Sequence, residues 1–329
     1  MVAEKRKRKM KIPQKISLAH LPTPFEEITF RSKNFLMKRD DYTGSDFLGN
    51  KIRKLEYLLF EAKKLKSDII FTCGGDQSNH ARATASAAAR LGIKTKLFLW
   101  GKDSIKADGN LFLNKMYGAE IVYLNKNEYE NVDDIMIEER KKIVKKDKRV
   151  YVIPGGGSTT LGIWGYINFV NELKKQINLK NIDGIYSACG SGGTAAGLLV
   201  GSALNNINLK IYAVNVLLPK EIIRKKILQL AEGAVLDYKL DCGIEENNLH
   251  VIDGYSNEGY KNISESKIKL ITGFTSDTGI VLDPTYTGKA FCAFNDLILN
   301  KRRGKKVIFV HTGGIFGVFA YRKRYLNFS

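Results

Sequence analysis

Short apolar segments alternate with helix-forming segments along most of the chain, and this alternation limits the possible folds more than any other feature. A first strand–helix–strand unit is predicted at residues 68–99. Further units cover residues 119–153 and 184–214, and a last strand is predicted at 306–311. A chain that repeatedly passes from strand to helix and back to strand is expected to form a wound α/β fold.

Two glycine-rich breaks interrupt this alternation, at residues 44–49 and 154–158. They bracket the strands and helices between them, which indicates a smaller domain inserted into a larger one. A chain of 329 residues can form one large core or two modest domains. We predict a larger domain of residues 1–52 and 162–329, and a smaller domain of residues 53–161.

The composition is typical of globular proteins, with 44% hydrophobic and 26% charged residues. No apolar run approaches the roughly 18 residues that a membrane span requires, so no membrane partner is expected. The basic run at residues 5–11 has no apolar region behind it, which argues against a secretory signal and predicts a cytoplasmic location. The cysteines form no C-x-x-C pair, so we expect reduced, mostly buried thiols and no metal site. They are Cys73, Cys189, Cys242 and Cys292.

The net charge of +19 needs a separate explanation, because such an excess can indicate nucleic-acid binding. The basic residues are spread over segments 5–11, 140–149, 301–306 and 322–324. No zinc-finger, helix-turn-helix or aromatic RNA-binding motif accompanies them. We expect solvated faces that favour anionic substrates and no specific nucleic-acid partner. A nucleic-acid-binding protein remains the alternative from another functional class.

Lys51 and Lys54 occupy the first turn of a predicted amphipathic helix, directly after Gly49-Asn50. That turn carries partial positive charge, so two ammonium groups there lower stability unless an anion or a chemical role compensates. The buried stripe of this helix is predicted to be Ile52, Leu55, Leu59 and Ala62. The lysines suggest a reactive amine or a phosphate clamp, and two solvated lysines are the alternative.

The segment Gly190-Ser191-Gly192-Gly193-Thr194 follows a predicted strand and begins a helix. Glycines let backbone N–H groups approach an anion, the two hydroxyl groups add donors, and the helix start adds positive potential. No lysine follows as in a Walker loop, and the dinucleotide spacing fails at Ala195. A phosphate group fits this loop, and a tight structural turn is the alternative.

Two further polar turns carry candidate ligand-binding residues. Ser78 and Asn79 suit the capping of a helix, but with Gln77 and free N–H groups they also form a pocket for a carboxylate. Tyr286 begins another helix and could pack in the core or face a ligand. A candidate reactive lysine, a phosphate loop and a carboxylate pocket are the parts that a pyridoxal-phosphate enzyme needs.

Five motifs occur in order along the chain. They are Gly49-Asn50-Lys51-x-Arg53-Lys54-Leu55-Glu56, Gln77-Ser78-Asn79-His80-Ala81-Arg82, Gly190-Ser191-Gly192-Gly193-Thr194, Asp283-Pro284-x-Tyr286-x-Gly288-Lys289 and His311-Thr312-Gly313-Gly314. With them the chain resembles the D-cysteine desulfhydrase and 1-aminocyclopropane-1-carboxylate deaminase family over nearly its whole length. The resemblance implies the tryptophan-synthase-β fold (fold type II), with two open, twisted, mostly parallel sheets and flanking helices. It also implies pyridoxal 5'-phosphate as cofactor, a larger cofactor domain, a smaller substrate-side domain and a homodimer or larger homo-oligomer.

By the family pattern, Lys51 forms a Schiff base with the cofactor and removes the α proton. Lys54 assists at the phosphate, which the loop of Gly190, Ser191, Gly192, Gly193 and Thr194 binds. Asn79 meets the ring hydroxyl, and Thr287 and Thr312 belong to the cofactor-binding set.

The resemblance also implies the substrate side of the site. Ser78 would bind the substrate carboxylate, next to Gln77 and Asn79, and Tyr286 and Tyr260 would be the active-site tyrosines. The chain departs from the family pattern after Tyr260, where Lys261-Asn262 replaces glycine and the following proline. It also departs at Asp76, where the family usually has a neutral residue. A carboxylate there could bind an additional amino group, repel an anionic side chain or cap the helix.

Thr287 and Thr312 help to divide the family, since the deaminases carry Glu and Leu at these positions. A neutral hydroxyl beside the pyridine nitrogen makes a weaker electron sink than a carboxylate would, which suits β-elimination better than cyclopropane opening. We therefore predict elimination from D-cysteine to pyruvate, ammonia and hydrogen sulfide. The alternatives are deamination of 1-aminocyclopropane-1-carboxylate and lyase activity on L-cysteate, D-serine or diaminopropionate.

Overall fold

The computed structural model describes residues 10–145, 147–301 and 306–326. The strands, numbered in chain order, are β1 (Phe25–Phe30), β2 (Lys33–Arg39), β3 (Ile69–Gly75), β4 (Lys94–Trp100), β5 (Glu120–Leu124), β6 (Val150–Val152), β7 (Gly184–Cys189), β8 (Lys210–Asn215), β9 (Leu249–Ile252) and β10 (Val307–His311).

Helices connect most of these strands. They are α1 (Lys51–Lys64), α2 (Asn79–Arg90), α3 (Gly109–Met116), α4 (Lys126–Glu130), α5 (Val132–Val144), α6 (Trp164–Gln176), α7 (Gly193–Leu204), α8 (Lys220–Asp237), α9 (Glu265–Thr278), α10 (Thr287–Phe294), α11 (Ile315–Phe319) and α12 (Arg322–Leu326). Short 3₁₀ turns lie at Asp40–Tyr42, Gly155–Gly157, Leu179–Asn181 and Glu246–Asn248, and a π-helical turn at Asn295–Leu299 extends α10.

The strands form two sheets, as the family resemblance implied. The larger has the order β1-β2-β10-β7-β8-β9, in which only the β1–β2 pair is antiparallel. The smaller has the order β5-β4-β3-β6 and is parallel throughout. The strands of the smaller sheet all fall within residues 53–161, while the domain bounds themselves stay a prediction.

Helices cover both faces of each sheet, because parallel strands bury side chains on both sides. Helices α6, α7 and α8 pack on one face of the larger sheet, and α9 and α10 pack on the other. Helices α1 and α2 pack on one face of the smaller sheet. The polar loops are left at the carboxyl ends of the strands, which is where ligands bind in open α/β sheets.

The predicted strands and helices are largely confirmed, with β1, β2 and β9 added by the structure. The predicted stripe of α1 is fully buried. Three charged residues of the same helix, Arg53, Lys54 and Glu56, are also buried, since α1 packs against α2 and α6 as well as the sheet.

All four cysteines are free thiols, and all but Cys242 are buried, as predicted. Within the described residues, no helix has the length and apolar character that crossing a bilayer requires. Most of the basic N-terminal segment and residues 302–305 of the basic segment 301–306 lie outside the described residues.

Candidate active site

The carboxyl ends of β7 and β10, the start of α1 and the start of α2 meet around one cavity between the two sheets. The cavity brings together residues from all five sequence motifs. Its lining consists of Asn50, Lys51, Lys54, Asn79, Ala188, Cys189, Gly190, Ser191, Gly192, Gly193, Thr194, Tyr286 and Thr312. We call it the cofactor cavity.

Lys51 opens α1 and projects into the cofactor cavity. Its ammonium lies 6.0 Å from the centre of the Tyr286 ring, and it has no hydrogen bond or ion pair within the described part of the chain. Burial lowers the pKa of Lys51 to about 8, and the neighbouring Cys189 opposes the shift. A substantial part of this amine is therefore neutral near physiological pH, as a nucleophile or proton acceptor requires.

Lys54 lies one turn further along α1 and is only 1% exposed. Its ammonium donates to the Gly156 carbonyl at 3.2 Å and the Ser158 hydroxyl at 3.4 Å, and no carboxylate among the described residues pairs with it. Burial, with a further contribution from the charge of Lys51, holds the pKa of Lys54 well below its usual value. A buried cation without a counter-ion indicates an anion-binding site.

The glycine loop between β7 and α7 faces both lysines. Gly192 has a φ of +86°, a conformation that glycine adopts without strain. A Cβ at Gly193 would lie 2.5 Å from Ser158 Oγ and 2.7 Å from Lys54 Nζ, so only glycine lets these groups approach the loop backbone. Ser158 Oγ accepts from the Gly193 N–H at 3.2 Å and lies 2.8 Å from Ser191 Oγ.

Ser158 and Asn50 complete this loop but were not predicted as site residues. The Asn50 side-chain amide donates to Thr194 Oγ1 at 3.0 Å, although Asn50 stands in the N-cap position of α1. Ser158 follows a glycine-rich break that the sequence analysis treated only as a domain boundary. The position of Asn50 next to Lys51 was a usable signal, whereas the contact of Ser158 with the loop depends on the tertiary structure.

The turn between β3 and α2 supplies a polar wall. Ser78 caps α2, its hydroxyl oxygen accepting from Ala81 N at 3.2 Å, so its proton is free to face the space between the sheets. Asn79 Oδ1 accepts from Asn110 Nδ2 at 2.9 Å, which orients its amide toward the cofactor cavity. Gln77 is held by Asp108 and Asn110 and lines neither this cavity nor the one described next.

A second cavity adjoins the first and shares Lys51, Gly190, Ser191 and Tyr286 with it. We call it the substrate-side cavity. The rest of its lining is mainly aromatic and small residues, among them Cys73, Gly74, Gly75, Ser78, Trp100, Tyr129 and Tyr260. The lining also includes two exposed charged residues, Asp133 and Lys226. Its aromatic and small residues suit a small, largely apolar side chain next to a reactive amine.

Tyr260 and Tyr286 meet at the boundary of the two cavities, and their hydroxyl groups share a hydrogen bond. Burial raises the pKa of both phenols well above the usual value, so both are protonated at neutral pH. Asp283 fixes the turn that carries Tyr286, because its carboxylate accepts from the backbone N–H groups of Thr285, Tyr286 and Thr287 at 2.7 to 3.0 Å.

Thr287 and Thr312 occupy different environments. Thr312 lines the cofactor cavity. Thr287 is completely buried, and its hydroxyl donates to Asp283 Oδ1 at 2.6 Å and accepts from Asp283 N at 2.8 Å. Its proton is therefore already used, and Thr287 is not part of the cavity lining.

Asp76 is paired with a protein cation. Its Oδ1 lies 3.0 Å from Lys261 Nζ and accepts from Gln77 N at 2.9 Å, and Asp76 lines neither cavity. The predicted roles of Asp76 and Gln77 in binding substrate stay predictions. His80 is buried with its Nε2 2.9 Å from Thr72 Oγ1.

The residues of the cofactor cavity fit pyridoxal phosphate. Lys51 provides an unpartnered amine for its aldehyde, while Lys54, Ser191, Thr194 and the glycine loop provide a cation, hydroxyl groups and backbone donors for its phosphate. Within the described chain, no group of three His, Cys, Asp or Glu residues could hold a metal ion.

Comparison with known proteins agrees with this chemistry. Residues 16–313 match the model of the family described as pyridoxal-phosphate dependent enzymes. The chain is 42% identical over 315 residues to a putative 1-aminocyclopropane-1-carboxylate deaminase of Thermotoga maritima, covering 94% of this chain and 99% of that protein. It is 35% identical over 322 residues to the mitochondrial bifunctional D-cysteine desulfhydrase/1-aminocyclopropane-1-carboxylate deaminase of Arabidopsis thaliana, covering 92% of this chain and 79% of that protein.

A solved structure shows the same arrangement of elements. The crystal structure of a protein described as an ACC deaminase homologue superimposes with a TM-score of 0.89 at 33% identity, covering 96% of this chain and 97% of that one. Fold, site and family model together define a lyase that uses pyridoxal 5'-phosphate. Within that class, the chain belongs to the family of D-cysteine desulfhydrases and 1-aminocyclopropane-1-carboxylate deaminases.

Proposed function

We propose that this enzyme eliminates the β-substituent of a small amino acid, with D-cysteine as the substrate and pyruvate, ammonia and hydrogen sulfide as the products. The observation that carries the proposal is that the lining residues of the cofactor cavity include no carboxylate within the described chain. A wall with Thr312 and no carboxylate leaves the pyridine nitrogen less protonated than a carboxylate would. The resulting weaker electron sink suits the loss of a good leaving group better than the opening of a cyclopropane ring.

The bound cofactor supplies an electron-withdrawing ring conjugated to the substrate α-carbon. The neutral amine of Lys51 takes the α proton, which its lowered pKa favours. Ser78 directs its hydroxyl proton to the substrate carboxylate, and Asn79 orients the ring through its side-chain amide. Both side chains are buried, which keeps water from competing for these contacts.

Tyr286 gives the departing sulfur its proton, and Tyr260 holds the Tyr286 hydroxyl in place. The raised pKa of each phenol keeps the proton available until the leaving group develops negative charge. Hydrolysis of the released unsaturated amine then gives pyruvate and ammonia, so one water molecule is consumed for each D-cysteine.

Deamination of 1-aminocyclopropane-1-carboxylate is the second candidate. It is favoured by the name of the Thermotoga maritima relative and by the two activities in the name of the Arabidopsis thaliana relative. Homo-oligomeric assembly and a cytoplasmic location stay predictions.

The test is a substrate panel on the purified holoenzyme. It contains D- and L-cysteine, β-chloroalanine, cysteate, D-serine, diaminopropionate and 1-aminocyclopropane-1-carboxylate, each scored for keto acid, ammonia and sulfide. We expect the highest kcat/KM with D-cysteine and pyruvate as the keto acid. Release of 2-oxobutyrate from the cyclopropane substrate, with no sulfide from D-cysteine, would establish the second candidate instead.

A further inference from the structure

The two positions at which the chain departs from its family pattern, Asp76 and the segment after Tyr260, contact each other. Lys261 Nζ lies 3.0 Å from Asp76 Oδ1. Asp76 directly follows β3 of the smaller sheet, and Lys261 lies between β9 of the larger sheet and α9. The ion pair therefore joins the two sheets at the edge of the substrate-side cavity.

The Lys261 ammonium makes two further contacts with the smaller sheet, both to Trp100 at the end of β4. It donates to the Trp100 carbonyl at 3.1 Å and lies 4.3 Å from the centre of the Trp100 ring. Asp76 N donates to the same carbonyl at 3.1 Å. One cation thus holds the carboxylate, the carbonyl and the indole in a single arrangement.

The loop that carries Lys261 is also anchored on its other side, by one residue of α10 and one residue between α11 and α12. Tyr321 donates its hydroxyl to the Lys261 carbonyl at 2.9 Å, and Lys289 Nζ donates to the Gly259 carbonyl at 2.8 Å. Tyr260 lies between these two anchors and reaches Tyr286. A Cβ at Gly75 would lie 3.5 Å from the Tyr260 ring and 3.8 Å from the Lys261 side chain, so the loop rests directly on the end of β3.

We propose that Lys261 and Asp76 are a positioning pair that holds Trp100 and Tyr260 together over the substrate-side cavity and thereby selects amino acids with small, uncharged β-substituents. The inference rests on the proposed function in taking this cavity as the place of the substrate side chain. Because the two walls are joined, the space for the substituent is limited. Because each charge is neutralised by the other, neither attracts a charged substituent such as a sulfonate or a second ammonium group.

The first test is a double-mutant cycle with Asp76→Asn, Lys261→Met and the double variant. We expect each single change to lower kcat/KM for β-chloroalanine about threefold to tenfold, mainly through KM, and the double variant to lose no more than the worse single change. The kcat/KM for S-benzylcysteine of the same configuration should fall less or should rise. The variants would then discriminate less by the size of the β-substituent. The conservative variants Lys261→Arg and Asp76→Glu should retain most of the discrimination.

Losses that multiply in the double variant, or an unchanged ratio between the two substrates, would overturn the inference. Glu246→Gln is the matched control, because it breaks the pair with Arg224, whose side chain is 31% exposed, close to the 30% of Lys261. Glu246 lines neither cavity, and this change should leave both substrates unaffected.

The second test needs no turnover. In a Trp164→Phe background Trp100 is the only tryptophan of the sequence. This substitution removes no hydrogen bond, because the buried Trp164 indole N–H has no partner among the described residues. Lys261→Met should increase the quenching of Trp100 fluorescence by acrylamide in the holoenzyme, and Glu246→Gln should not. Equal quenching in all three proteins would refute the positioning role.

Failure of the proposed function is a separate result. If the panel identifies 1-aminocyclopropane-1-carboxylate as the substrate, the cycle is run on that compound against a ring-substituted analogue. Coupling between Asp76 and Lys261 is expected there too, and its absence contradicts the inference whichever reaction the enzyme catalyses.

Discussion

The hydroxyl groups of Tyr260 and Tyr286 are hydrogen-bonded to each other, and the two rings meet edge to face with their centres 5.6 Å apart. The two residues come from different loops, and of the two only Tyr286 borders both cavities. The pair places one buried, protonated hydroxyl at the junction between the cofactor cavity and the substrate-side cavity.

Replacing Tyr286 by Phe should therefore lower kcat about 10²- to 10³-fold, because the leaving group loses its proton donor. Tyr260→Phe should have a smaller effect, and the double variant should be no slower than Tyr286→Phe, since the hydroxyls act through one shared hydrogen bond. Steady-state kinetics on D-cysteine measure this. Tyr123→Phe is the control, because its hydroxyl donates to the exposed Asp103 and lies outside both cavity linings. Equal losses in Tyr123→Phe would contradict the assignment.

The lowered pKa of Lys51 predicts how cofactor loading depends on pH. Only the neutral amine attacks an aldehyde, and burial brings the pKa of Lys51 to about 8. The rate at which apoenzyme gains visible absorbance after cofactor addition should rise with pH below about 8 and level off above it. A rate that keeps rising to about pH 10 would indicate an ordinary lysine. Lys51→Arg should gain no protein-bound band at any pH.

Lys54→Met should stabilise the apoenzyme and weaken cofactor binding. Lys54 is a buried cation without a counter-ion, and an apolar side chain of similar length removes its desolvation cost, a gain of about 1–3 kcal/mol. The same change removes a charge from the phosphate site, so cofactor affinity should fall about tenfold or more. Urea unfolding of the apoenzyme and equilibrium dialysis measure the two effects. Lys63→Met on the exposed end of α1 should change neither, and a destabilised Lys54→Met apoenzyme would argue against an anion site.

Asp40→Asn should destabilise the protein by about 3–5 kcal/mol. Asp40 is fully buried and accepts from Arg53 Nε at 2.9 Å and Nη2 at 2.7 Å. The amide would remove the charge of this buried partner and leave the guanidinium paired with Glu172 alone among the described residues. Because Arg53 lies between Lys51 and Lys54 on α1, cofactor retention should fall as well. Asp103→Asn breaks an exposed pair with Lys115 and should leave the free energy of unfolding in urea nearly unchanged. Similar costs for the two variants would contradict the structural role of Asp40.

Ser158→Ala should weaken cofactor binding about fivefold to tenfold while leaving global stability nearly unchanged. Its hydroxyl contacts the Gly193 N–H, the Ser191 hydroxyl and the Lys54 ammonium, and the methyl group would leave these without that partner. Cofactor affinity from fluorescence titration is the measurement. Thr160→Ala, which removes a hydroxyl bonded to Asp237 at the surface, should bind the cofactor normally. Unchanged affinity in Ser158→Ala would exclude Ser158 from the phosphate site.

The sequence predicted those parts of the fold and site that depend on local pattern. The buried stripe of α1 follows from helical spacing, and the loop from Gly190 to Thr194 follows from its glycines at a strand-to-helix turn. Strands β1 and β2 were not predicted because they form an antiparallel pair before the strand–helix–strand alternation begins, and β9 was not predicted because it has only 4 residues. The burial of Arg53 and Asp40 was also beyond the sequence, since it depends on an ion-pair network in which Arg53 pairs with both Asp40 and the distant Glu172.

Lys51, the glycine loop and the polar turn at Ser78 and Asn79 could therefore be identified as candidates from the sequence itself, because each is a short motif with its own chemistry. Only the tertiary structure decided that Ser158 contacts the glycine loop, that the proton of Thr287 is committed to Asp283, and that Asp76 is paired with Lys261. The last two residues are 185 positions apart (261 − 76). Contacts at such separations depend on how two sheets are packed against each other, and no local pattern carries that information.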